Sequence, residues 1–267
     1  LSSLLNLSSD TDEQLLSESN VIENVIEVMR SNPDVSIVQE KGLGILQNLS
    51  MRGSERKKEI AKLGGIKILV EAIHSFMGEP NVLERAFTAM WSLALLDSNQ
   101  KAIGKAGGVE LLVNGMMAQL DSPSVQKQAC GCLSTLSTDS RNNSKIREAD
   151  GVDAIVYAIW AHFDSEVVLS EACRALSSVI VDMHTNEVII AQEGEVNAVI
   201  SAMRCYPRSA KLQENACVAL QNLLLSPESV DSVKYLADEI RSAVSLAAKS
   251  FPGKCTECAE QIFERLK

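Results

Sequence analysis

Few side chains in this chain of 267 residues have the types and spacings that chemistry requires. There are three histidines, His74, His162 and His184, and none stands at metal-ligand spacing from an Asp, Glu or Cys. Cys255-Thr256-Glu257-Cys258 is a C-x-x-C pair. A zinc site of that kind needs a second pair, and a redox dithiol needs a strand running into a helix; the helical pattern around this pair supplies neither. No glycine-rich loop follows a strand, so there is no nucleotide phosphate cradle. The expectation is a protein that is not an enzyme, with no catalytic residue, no cofactor and no metal.

What remains is recognition chemistry, carried by a polar position that recurs. Asn6, Asn48, Ser92, Thr135, Ser178 and Asn222 each stand immediately before an apolar marker, and from Asn48 onward these markers, Leu49, Leu93, Leu136, Val179 and Leu223, lie 44, 43, 43 and 44 residues apart. A polar residue flanked by apolar ones in every copy is expected to face out of the core, and an asparagine amide both donates to and accepts from a peptide unit. Four residues before this position stand Gly44, Thr88, Gly131, Arg174 and Val218, of which Arg174 alone is charged. Trp91 precedes Ser92 and reads two ways, as an exposed anchor for a partner or as filler between neighbouring helices. Trp160 falls on another helix and is expected in the core or on the outer surface.

A second candidate is basic. Arg52, Arg56, Lys57, Lys58, Lys62 and Lys67 face only Glu55 and Glu59, whereas residues 10–40 hold eight acidic side chains against Arg30. The basic run could dock an acidic or phosphorylated partner, serve as a localisation stretch, or be a solvated helix face.

The elements that position these residues follow from the period. Each copy reads as a middle helix, a break, a long helix and a short helix. Pro33, Pro80, Pro123, Pro207 and Pro252 stand at the breaks, where proline ends one helix and opens the next. Gly64-Gly65, Gly107-Gly108, Gly151 and Gly194 precede the middle helices and permit sharp corners between closely packed helices. Gly42 and Gly44 lie inside a long helix, where they allow close packing or a shallow place on its surface. The units run over about 20–63, 64–107, 108–150, 151–194 and 195–238, with partial copies at 1–19 and 239–267. A unit this short cannot bury its apolar face alone and stacks on its neighbours. The fold class is therefore all-α, an alpha-alpha solenoid forming a single domain, and its abrupt start at Leu1 reads as a piece of a longer protein.

The glycine before "GIKILV" and the later "ACVALQNLL", repeated along nearly the whole chain, resemble the armadillo repeat. The resemblance implies a right-handed superhelix whose third helices line a concave groove that receives extended peptides or partner proteins. In peptide-binding members, such as the nuclear import adaptors and the catenins, an asparagine at the ladder position clamps the peptide backbone. This chain matches it at Asn6, Asn48 and Asn222 only. The import adaptors also carry a tryptophan one turn earlier, which is absent here from all the copies compared, so the resemblance stops short of a receptor for nuclear localisation signals.

Composition agrees with a packed protein: 46% of residues are hydrophobic and 22% charged. A net charge of −10 disfavours nucleic acid and anionic membrane as general partners and favours a basic peptide. No apolar run is long enough to span a bilayer. Seven cysteines, three of them (Cys130, Cys173, Cys217) repeating one position, point to packing in a reducing compartment rather than to disulfides. The expected function is a protein–protein scaffold or adaptor in the cytoplasm or also the nucleus, with the oligomeric state left open and a monomer favoured over an oligomer. The alternative is a regulatory solenoid that binds a small metabolite or controls an attached catalytic domain.

Overall fold

A computed structural model of the chain describes residues 21–181 and 191–267. The expected partial copy at 1–19, with Asn6, and the loop carrying His184 lie outside them. The described residues fall into two compact units, divided between Lys145 and Ile146.

In the first unit the helices come in the expected order. The middle helices are α1 (Val21–Ser31), α4 (Gly65–Ser75) and α7 (Gly108–Ala118). The long ones are α2 (Ser36–Ser50), α5 (Pro80–Ala94) and α8 (Pro123–Leu136), and the short ones α3 (Ser54–Lys62), α6 (Asp97–Lys105) and α9 (Ser140–Glu148), whose last three residues fall in the second unit. The second unit holds α10 (Gly151–Ala161), α11 (Glu166–Ile180), α12 (Glu193–Cys205), α13 (Ala210–Leu223), α14 (Pro227–Ser232), a 3-10 turn at Lys234–Leu236, α15 (Ala237–Ser250) and α16 (Pro252–Arg265). In each unit the long helices stack directly on one another, α2 on α5 on α8 and α11 on α13 on α16. The marker residues Leu49, Leu93 and Leu136, and in the second unit Val179 and Leu223, are buried between them.

The punctuation works for identifiable reasons. Pro80, Pro123 and Pro252 occupy the first turn of their helices, where no intrahelical N–H is lost. Pro33 and Pro207 stand in the turn before the helix instead. Gly64 and Gly107 have φ of 90° and 79°, the left-handed region that favours glycine. The glycine that follows does something different. A Cβ on Gly65 would lie 2.4 Å from Ile60 Cγ2, one on Gly108 2.7 Å from Ile103 Cγ2, and one on Gly151 2.5 Å from Ile146 Cγ2. The short helix thus rests directly on the start of the next middle helix. Gly194 departs from this pattern: it lies inside α12, nothing crowds it, and Gln192 and Glu195 form a capping box around the helix start. Gly42 allows close packing, since a Cβ there would strike the Met29 side chain at 2.5 Å.

A buried glutamine recurs in alternate copies. Gln39, Gln126 and Gln213 each stand in the first turn of a long helix and donate from Nε2 to two carbonyls at the end of the preceding middle helix. The acceptors are Met29 and Asn32, Met116 and Gln119, and Met203 and Tyr206, at 2.7–3.1 Å. Helix C-termini leave carbonyls unpaired, and these side chains satisfy them inside the core. Leu83 and Leu169 stand at the same position in the other copies and are also buried.

Candidate partner-binding surfaces

On the first unit, the polar ladder residues Asn48, Ser92 and Thr135 lie on α2, α5 and α8. Asn48 and Thr135 are half-buried, but Ser92 is only 8% exposed and belongs largely to the core. Trp91 is the organising side chain. Its Nε1–H donates to Thr135 Oγ1 at 2.9 Å, and Thr135 in turn donates to the Gly131 carbonyl at 3.1 Å. The indole lies over Gly131, where a Cβ would come within 2.6–2.8 Å of three ring carbons. The glycine leaves room for the ring and the threonine fixes its orientation.

One face of that ring remains at a cleft of about 480 Å³. Thr88, Trp91, Ser92 and Leu95 line it from α5, Gln47 and Met51 from the end of α2, Lys57 from α3 and Gln128 from α8. Met51 and Leu95 are 59% and 61% exposed, large apolar side chains in open solvent at the mouth of a partly apolar cleft. Gln47 Oε1 is a buried acceptor without a hydrogen bond, an arrangement that folded proteins rarely leave unexplained. Trp91 therefore combines both readings of the sequence: it packs between long helices and contributes to a recess.

On the second unit, Ser178 and Asn222 are half-buried on α11 and α13. Asn222 Nδ2 donates to the Ser177 carbonyl at 2.9 Å, tying the two helices, and Ser178 donates to the Arg174 carbonyl at 3.0 Å. Arg174 is paired within the chain: its Nε and a terminal nitrogen both reach Glu171 Oε2, at 2.9 and 2.7 Å, while Lys211 takes Glu171 Oε1 at 2.7 Å. Burial alone would raise the Glu171 pKa, but the hydrogen bonds and charges of Lys211 and Arg174 outweigh it and hold the carboxyl below its ordinary range.

The basic run is less uniform than its sequence. Arg56 pairs with Glu59 at 2.6 Å and Lys58 with Glu55 at 2.7 Å. Lys57 is buried, its carbonyl accepts from Asn99 Nδ2 at 3.3 Å, and its side chain joins the Trp91 cleft. Arg52 is half-buried and Lys62 exposed. Gln47, Met51, Leu95 and Gln128 are the cleft residues that the sequence did not single out. Each belongs to a long helix or its C-terminal end; Gln47, Met51 and Leu95 lie within four residues of the polar ladder on α2 and α5, where a wider window would have included them, whereas Gln128 stands further from the ladder on α8.

Among the described residues no three metal-ligating side chains converge. Cys130, Cys173 and Cys217 are fully buried in the long helices, and burial pushes the Cys173 thiol up to about 12. Cys255 and Cys258, the C-x-x-C pair, are also raised by burial. Such thiols are poor nucleophiles. Trp160 is 43% exposed on α10 and meets Phe163 edge to face at 5.3 Å. No described helix is long and apolar enough to cross a membrane.

Solved structures share this architecture. A chain from a structure on the phosphorylation switch that controls the interaction between cadherin and beta-catenin matches with a TM-score of 0.80 at 19% identity, over 99% of this chain and 48% of that one. An engineered protein matches with a TM-score of 0.75 at 23% identity, over 99% of this chain and 62% of that one. A designed armadillo repeat protein in complex with the peptide (KR)4 matches with a TM-score of 0.70 at 15% identity, over 92% of this chain and all of that one. At these identities the likeness concerns the fold alone. Comparison with curated proteins returns no match. Residues 105–253 match the family described as the LRRK2 ARM repeat, which is more than half of the 267 residues, and the chain belongs to that armadillo-repeat family.

Proposed function

We propose that the protein is a non-enzymatic interaction scaffold, and that the long-helix face of its first unit receives an extended segment of a partner protein. The observation that carries this reading is the Trp91 cleft. A large aromatic ring is held in place by the Thr135 hydroxyl and the Gly131 gap, so little conformational entropy is lost when a partner packs on it. The exposed Met51 and Leu95 beside it are suited to an apolar anchor side chain. Aromatic anchors in partly enclosed recesses are where binding energy concentrates. Armadillo proteins of the same fold include one that holds a (KR)4 peptide, and the net charge of −10 favours a partner segment with basic residues around its apolar anchor.

The test is a peptide selection from a random library against the chain, followed by affinity measurement with single variants. Trp91→Ala should weaken the selected peptides by about 2 kcal/mol or more, roughly thirtyfold. Ser178→Ala, on the second unit, should leave them unchanged. Peptides that bind the Trp91→Ala variant as tightly as the parent would defeat the assignment.

A further inference from the structure

The short helices α3, α6 and α9 lie side by side, and α6 and α9 take no part in the Trp91 cleft. Buried asparagines pin the three together. Asn99 of α6 donates to the Lys57 carbonyl of α3, and Asn142 of α9 donates to the Gln100 carbonyl of α6 at 2.9 Å. Gly104 is so close beneath Asn142 that a Cβ would stand 1.8 Å from Oδ1. At this tight seam between α6 and α9 a cleft of about 120 Å³ opens, walled by Lys101, Lys105, Arg141 and Lys145.

The charges at the seam do not cancel. Asp139 is its sole carboxylate, and its Oδ1 accepts the Asn142 backbone N–H at 3.2 Å as the cap of α9. Lys145 is engaged by the Gly104 carbonyl at 2.6 Å and by Glu110 at 3.0 Å. Lys101, Lys105 and Arg141 are exposed, and no ion pair to any of them occurs among the described residues. Three unopposed cations converge on a small concavity in a chain whose net charge is −10. On α3, by contrast, Arg56 and Lys58 are neutralised by neighbouring glutamates.

We propose that this cleft binds a phosphate group carried on a partner's serine or threonine, as a docking site independent of the long-helix face. A phosphomonoester brings nearly two negative charges and three strong acceptors, which suits two ammonium groups and a guanidinium fork. The lining is polar throughout, with no apolar side chain to insert between lipids. The acidic remainder of the molecule repels an extended polyanion but tolerates a single phosphate. Lys101 and Lys105 stand 43 residues after Lys58 and Lys62, and Ser98 stands where Glu55 pairs with Lys58 in the earlier copy, so the repeat carries the cation of Lys58 to the seam without its glutamate.

The test is an NMR titration of the isotope-labelled chain with inorganic phosphate and with a Gly/Ser peptide bearing one phosphoserine. Controls are the unphosphorylated peptide and vesicles containing phosphatidylserine. The phosphopeptide should shift amides of residues 97–105 and 139–145 saturably, whereas the unphosphorylated peptide and the vesicles should not. The double variant Lys101→Ala with Arg141→Ala, both at exposed positions, should keep its helical circular dichroism and bind about tenfold more weakly. Lys58→Ala should bind as the parent does. Shifts that centre on α3, equal affinity in the double variant, or vesicle binding that the double variant loses while the phosphopeptide has no affinity would each overturn the proposal.

Discussion

Glu171 has a side chain only 7% exposed, yet its carboxylate remains charged because Arg174 and Lys211 grip its two oxygens. Its pKa is lowered, so the contribution to stability is complete above the ordinary carboxylate value of about 4.3. That contribution disappears as pH falls below that value and through the folded one. Glu171→Gln keeps the shape and removes the charge; at pH 7 it should cost about 1–3 kcal/mol. In urea titrations the gap to the parent should narrow steadily below pH 4, and a gap that is the same at pH 7 and pH 3 would contradict the pairing. Gly108 makes a steric prediction of the same kind. Gly108→Ala places a methyl 2.7 Å from Ile103 Cγ2 and 3.1 Å from the Ile103 carbonyl oxygen and should cost about 1–3 kcal/mol. Gly194→Ala, in open space on α12, should be neutral or stabilise by up to about 1 kcal/mol. Equal effects in thermal unfolding would remove the close-approach argument.

At the scale of elements, the helices were legible because local rules set their ends. The prolines, the paired glycines and the 43-residue period fixed the long and middle helices to within a residue or two. The buried glutamines were not legible. A polar residue in the first turn of an amphipathic helix reads as solvent-facing, and its acceptors, such as the Met116 and Gln119 carbonyls for Gln126, lie on a different helix or in the turn after it. Gln126→Leu brings in the residue found at the equivalent positions 83 and 169 and removes the two hydrogen bonds together with the buried, unpaired Oε1. A loss of about 1–3 kcal/mol in denaturant unfolding is expected, and no loss would show that the carbonyls find other partners. The basic run was legible as composition but not as a surface, since Arg56 and Lys58 are neutralised within one helical turn and Lys57 turns inward. Sequence spacing marks which charges are near each other; it does not mark which remain unopposed.

For the whole molecule, the family and the helical architecture follow from the repeat, and the proposed function follows from which surfaces the repeat leaves unfinished. The regular asparagine ladder that clamps a peptide in other armadillo proteins is interrupted here by Ser92, Thr135 and Ser178, and Asn222 spends its amide on the Ser177 carbonyl. The proposed recognition therefore rests on one shaped recess around Trp91 more than on a repeated backbone clamp. The decisive measurement is a crystal structure of the chain with a library-selected peptide. A peptide side chain seated against Trp91 between Met51 and Leu95 is the predicted result. A peptide bound with high affinity anywhere else, and the Trp91 recess still vacant, would contradict the account.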